Sequence, residues 1–181
     1  MPSLAELARP DGYAWSLRVM HRFFLAWEEP LFDALASANS GLMLSERGKV
    51  SLLSADLAAL RLVPLTAPCP VPEDVVATAA TALGAMYVLE GSTLGGRIIE
   101  RHCAVPLGMS PAHGGAFYHG YGARTGALWQ AFGAVLELHD TDAQQRAAML
   151  HGARACFGAL HGLLESIPPT FRAHHEAGRH G

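Results

Sequence analysis

Apolar residues recur at three- and four-residue spacing along most of the chain, and no stretch alternates convincingly with period two. Leu17, Met20, Phe24, Trp27, Leu31 and Leu35 make one face of a helix predicted over residues 12–38. Asp11 is placed to cap it, Pro30 to kink it by removing a backbone donor, and Asn39-Ser40-Gly41 to end it. A second helix is expected over residues 46–62, with Val50, Leu53, Leu57 and Leu60 facing inward. Four prolines stiffen residues 63–72, after which Glu73 and Asp74 suit the positive end of a new helix. That helix carries Val76, Ala80, Leu83 and Tyr87 forward, and a loop follows over 103–116, with a turn at Ser110-Pro111. The aromatic, glycine-rich residues 117–122 are expected to be irregular. Residues 125–138 read as helix, and Thr141 with Gln144 forms a capping-box pattern opening a last helix that runs to about Ile167.

Residues 82–102, ALGAMYVLEGSTLGGRIIERH, break the pattern. They begin as an apolar helix and then place Gly91, Gly95 and Gly96 in its interior. Each costs about 0.5–1 kcal/mol relative to alanine there, so three within six residues need a reason. Gly91 and Gly95 share a face one turn apart, and Gly96 widens it. One explanation is a packing seat for another helix; the other is a flat ligand that must approach the backbone. A phosphate-binding loop is excluded, because no strand precedes the glycines and no G-K-[ST] follows them.

With half of 181 residues hydrophobic and 16% charged, the pattern fits a single all-α domain, an irregular helical bundle over residues 1–167 with a tail at 168–181 after Pro168-Pro169. A formal net charge of −3 with no run of Lys or Arg argues against a nucleic-acid surface. Cys69, Cys103 and Cys156 are odd in number and widely spaced, as expected of reduced thiols rather than disulfides or a zinc site. The N-terminus lacks the signature of a signal peptide, and the uncharged run 75–89 is shorter than the ~20 residues that span a bilayer. The expectation is a cytoplasmic protein without a membrane segment.

The extended motif L-G-x-x-Y-V-L-E-G-S-T-L-G-G, with F-Y-x-G-Y-G after a loop and a helix bearing Trp129 and Phe132, resembles the bacterial haem oxygenases, in particular those that supply biliverdin to bacterial phytochromes. P-D-G-Y-A at Pro10 to Ala14, Leu17-Arg18 and S-A-D-L-A-A-L at Ser54 to Leu60 extend the resemblance over most of residues 10–165. It implies that haem is both substrate and cofactor, cleaved to biliverdin, carbon monoxide and ferrous iron with O2 and electrons from a separate reductase. It also implies a bacteriophytochrome as acceptor of the product. Carried over by position, Gly91, Gly95 and Gly96 are the glycines of the distal helix. Ser92 stands where animal relatives have an aspartate that organises distal water; a hydroxyl donates and accepts hydrogen bonds there but carries no charge. Tyr87, Tyr121 and Arg124 are candidates for the haem propionates, and Phe117 and Tyr118 for the macrocycle edge.

The resemblance places the iron-ligating histidine on a helix of pattern L-R-x-x-T-x-x-x-H ahead of the P-x-G-Y segment. The chain starts nine residues before Pro10, so the expectation is a chain without that helix. Three readings compete: a shortened gene product, a substitute histidine, or a protein that no longer processes haem. His21, beside Leu17 and Phe24, is the first substitute to weigh against a purely structural role; His102 is a second. The alternative function is a non-catalytic helical protein that binds a tetrapyrrole or a partner.

Overall fold

The computed structural model of the chain describes residues 3–166. It is built from α1 (Leu4–Leu7), α2 (Pro10–Ser37), α3 (Val50–Ala59), α4 (Ala79–Leu107), α5 (Ala116–His119), α6 (Thr125–His139) and α7 (Ala143–Ser166), with 3-10 turns at Leu44–Glu46, Glu73–Val75 and Gly122–Arg124. Among the described residues no strand occurs, only isolated bridges at the turn after α4. The all-α bundle expected from periodicity is the fold observed. Ile167 and the expected tail at 168–181 lie outside the described residues.

Helix α2 forms the spine of the core. Its Leu17, Phe23, Phe24, Trp27, Leu31 and Leu35 are each at most 1% exposed. Burying a side chain of that size contributes about 1.5–3 kcal/mol. The helix starts at Pro10, where a missing N–H costs nothing, rather than two residues later. Asp11 lies inside the first turn, accepting from the Gly12 amide at 3.0 Å and pairing with Arg9. The helix runs unbroken through Pro30.

Several boundaries move for identifiable reasons. Helix α3 begins only at Val50, because the Glu28 carboxylate of α2 reaches across to accept from the Val50 amide at 3.2 Å. Glu73 and Asp74 make one 3-10 turn that ends at Val75; α4 starts only at Ala79, where Thr78 and Thr81 form a reciprocal capping box. Helix α4 then continues past residue 103 to Leu107 and ends at Gly108, whose φ of +63° suits a left-handed cap. Residues 116–119 are helical, not irregular, because the buried Asp56 carboxylate accepts from the Ala116 and Phe117 amides at 2.9 and 2.8 Å. Asp142 rather than Thr141 caps α7, accepting from the Gln144 and Gln145 amides.

The closest helix contact is between α4 and α7. A Cβ built on Gly84 would lie 1.8 Å from the Met149 carbonyl oxygen, and one on Gly152 would lie 1.9 Å from that of Thr81. The two backbones touch there, and only glycine permits it. Farther along, the helices part around the groove described next.

Candidate functional site

Helix α4 presents three different faces over its glycine-rich segment. One face lines a mostly apolar groove, a cavity of about 250 Å³ bounded by Val88, Ser92, Gly95, Gly96 and Ile99 of α4. Val19 and Met20 of α2 and Phe157, Leu160 and Leu164 of α7 form its other walls. A second face is open: Tyr87, Leu94 and Ile98 are 44%, 40% and 48% exposed, and a Cβ on Gly91 or Gly95 would meet nothing within 4 Å. Gly95 belongs to both faces and joins them. The third face carries Glu90 and turns into the protein.

The glycines therefore divide. Gly96 is a packing seat, since a Cβ there would lie 3.3 Å from the Tyr118 carbonyl oxygen. Gly91 and Gly95 serve no helix contact among the described residues. The Ser92 hydroxyl donates to the Leu89 carbonyl of its own helix at 2.6 Å, which leaves its lone pairs free as acceptors on the groove side.

Phe117 and Tyr118 floor the same groove, each 4% exposed. Phe117 packs edge-on against Phe24, with ring centroids 5.4 Å apart. The Tyr118 hydroxyl donates to Ser16 Oγ at 2.9 Å, and Ser16 donates on to the Tyr13 carbonyl at 2.8 Å. Burial pushes the Tyr118 phenol above its ordinary pKa, so it stays a neutral donor.

Five sequence candidates lie outside the groove. Tyr87 stacks obliquely on Trp129 at 5.4 Å and lines a separate cavity of about 400 Å³ between α4, α6 and α7. Tyr121 faces away from the groove and donates to Glu90 Oε1 at 2.6 Å. Arg124, exposed, pairs with Glu46 at 3.2 Å. His21 is 6% exposed, and its Nε2 lies 3.2 Å from Ser54 Oγ of α3. Burial, with the adjacent Arg22, holds its pKa below the ordinary histidine value, so the ring is neutral but turned toward α3. His102 is exposed on α4, and His119 pairs with Glu100 at 2.7 Å.

Sequence reading missed the ion cluster behind α4. Arg47, Lys49 and Glu90 are at most 2% exposed; Glu90 accepts from Arg47 at 2.6 Å and lies 3.8 Å from Lys49 Nζ. Lys49 donates to the Tyr121 hydroxyl at 2.6 Å. Burial, opposed by Glu90 and Glu28, lowers the Lys49 pKa to about 8, and burial beside Glu90 raises that of Tyr121. The available signal was a glutamate inside the apolar run 82–90, since a charge at such a position requires a buried partner.

The "Heme oxygenase" family model matches residues 70–166, which contain the whole of α4, α5, α6 and α7. A heme oxygenase of Xanthomonas campestris pv. campestris (strain 8004) is 36% identical over 156 residues, covering 85% of this chain and 89% of its own length. The chain belongs to the haem oxygenase family. Family membership makes haem the molecule to test against the site. The apolar groove and the bare backbone of Gly91 and Gly95 suit a flat macrocycle, which a Cβ at either position would push away. Among the described residues no histidine and no charged side chain lines the groove, so its walls suit the ring and not the iron or the propionates. As regards membranes, no helix among the described residues of this haem oxygenase family member is long and apolar enough to cross one.

Proposed function

We propose that this chain takes haem as substrate against the open glycine face of α4 and opens the ring oxidatively, releasing biliverdin, carbon monoxide and ferrous iron. O2 is the oxidant, and electrons come from a separate reductase. Bound haem supplies both the iron at which O2 is reduced and the carbon skeleton that is cleaved. The observation that carries the reading is the empty space over Gly91 and Gly95 beside an apolar groove. The cavity of about 250 Å³ is small against the roughly 300–1,000 Å³ of ordinary ligand sites. It therefore takes one edge of the tetrapyrrole, and the exposed Leu94 and Ile98 face takes the rest.

The residues of this chain contribute shape and hydrogen bonds. Gly91 and Gly95 let the macrocycle reach the α4 backbone. Ser92 offers an acceptor for ordered water beside it. Phe117 and Tyr118 set the depth of the groove and keep it dry. A cytoplasmic site of action and a bacteriophytochrome as biliverdin acceptor complete the proposal.

The test is a haem titration followed by reductant and oxygen. A sharp Soret band that gives way to biliverdin absorption is expected, and Gly95→Leu is expected to reduce haem affinity at least tenfold. Absence of saturable binding at micromolar haem would sink the proposal for this chain. A second reading, a non-catalytic tetrapyrrole binder, is favoured by one observation: no histidine lines the groove among the described residues. Saturable haem binding without any biliverdin would decide for it. His21→Ala separates the ligand question, since an unchanged ferric spectrum removes His21 as the axial group.

A further inference from the structure

Residues 117–122 lie along α4 over the same stretch that glycine strips of side chains. Their course runs opposite to that of the helix. Tyr118 sits on Gly96, at 3.3 Å from a Cβ placed there. Gly120 sits on Thr93: its φ of +57° suits glycine alone, and a Cβ on it would lie 2.6 Å from the Thr93 methyl. Tyr121 then reaches Glu90 at 2.6 Å. Two bonds return along the helix, Arg97 Nη1 donating to the Gly122 carbonyl at 2.6 Å and His119 pairing with Glu100 at 2.7 Å.

Glu90 and Arg97 are seven residues apart, two helical turns, and so share one face. They bracket Gly91, Gly95 and Gly96. A helix segment with three glycines has weak intrinsic helicity and few side chains to fix its rotation against a neighbour. The bracket supplies both. Its Glu90 end is embedded, because Arg47 and Lys49 hold the same carboxylate and Arg47 also donates to the Leu128 carbonyl of α6 at 3.3 Å. The splint is anchored at its own start as well, where Asp56 holds the Ala116 and Phe117 amides.

We propose that Glu90, Tyr121 and Arg97 are positioning residues: they bind residues 117–122 to α4 as a splint that holds the open Gly91–Gly95 backbone rigid against haem. The haem part rests on the substrate reading given above. None of the three touches the groove, so they act through the glycines.

Amide hydrogen exchange on the full chain tests the splint without requiring turnover. Tyr121→Phe removes the hydroxyl bond to Glu90, and Arg97→Met removes the bond to Gly122 at the other end. Each is expected to speed exchange at residues 91–98 at least tenfold, with α2 and α7 unchanged, and to weaken haem binding about tenfold. Arg97→Lys, which keeps a donor within reach of the Gly122 carbonyl, is expected to restore most of the protection. Exchange that is unchanged at 91–98, or accelerated equally along the chain, would overturn the splint. A wild-type chain that binds no haem overturns the haem part and the substrate reading together, while its exchange pattern still decides the splint.

Discussion

At Gly91 an added Cβ meets open space, whereas at Gly96 it presses at 3.3 Å on the backbone carbonyl of the buried Tyr118. Gly91→Ala should therefore stabilise the protein by about 0.5–1 kcal/mol through helix propensity, readable as a higher urea midpoint at unchanged m-value, while weakening haem binding. Gly96→Ala should instead destabilise it, by displacing Tyr118. The sequence marks all three glycines as anomalous but cannot separate them, because the separating atom, the Tyr118 carbonyl oxygen, lies 22 residues away in the chain. Lys49 offers a second test at this scale. Its pKa is lowered by burial from 10.5 to about 8. Between those values the unfolded chain holds a proton that the folded chain has lost, so this group makes stability rise with pH across that window. The buried thiols of Cys69, Cys103 and Cys156 and the buried phenols of Tyr13, Tyr118 and Tyr121, all raised by burial, act in the opposite sense at higher pH. Comparing urea unfolding of wild type and Lys49→Met at about pH 7 and about pH 10 removes what the two chains share. Wild type should gain on the variant as pH rises; a constant gap would mean that Lys49 stays charged throughout.

Among the helices, the α4–α7 contact is the least forgiving. Gly84→Ala would put a Cβ within 1.8 Å of the Met149 carbonyl, so the helices must separate. Overpacking of this kind costs typically about 1–3 kcal/mol and sometimes more, and a lowered melting temperature would register it. Gly84 entered the sequence reading only as the first glycine of the family-like motif and Gly152 not at all, because a single glycine in a helix does not announce a backbone contact. Helix existence was legible from the three- and four-residue periodicity of α2, α4, α6 and α7. Helix starts were not, wherever the cap came from a distant side chain. Glu28 sets the start of α3 and Asp56 that of α5, and neither lies near its target in sequence. The start of α4 was misplaced for a different reason: two acids suit a helix N-terminus electrostatically, yet the Thr78–Thr81 capping box satisfies the free amides directly.

For the molecule as a whole, the groove and the open α4 face are apolar surface, and a ligand that covers them binds only the folded state. Haem at about a hundred times its dissociation constant should add about 2.7 kcal/mol of stability. For a domain of this size that raises the melting temperature by roughly 5–10 °C. A thermal scan with and without haem checks this, and an unchanged midpoint would mean that the folded state gains nothing from the ligand. The all-α class and the placing of Ser92, Gly95, Gly96, Phe117 and Tyr118 around one groove follow from local pattern and from the resemblance carried by the glycine motif. The clustering of Arg47, Lys49, Glu90 and Tyr121 does not, because it draws single polar residues from three separate segments into one buried spot.

The backbone contact at Gly84 and Gly152 also acts as a fulcrum. Leu164, on the groove wall, lies twelve residues beyond Gly152 on α7, a lever arm of about 18 Å at 1.5 Å per residue. A swing of about 10° at the fulcrum carries Leu164 by about 3 Å, on the order of the thickness of an aromatic ring. A substitution that parts α4 and α7 at Gly84 or Gly152, outside the groove itself, is therefore expected to change which thickness of molecule the groove admits.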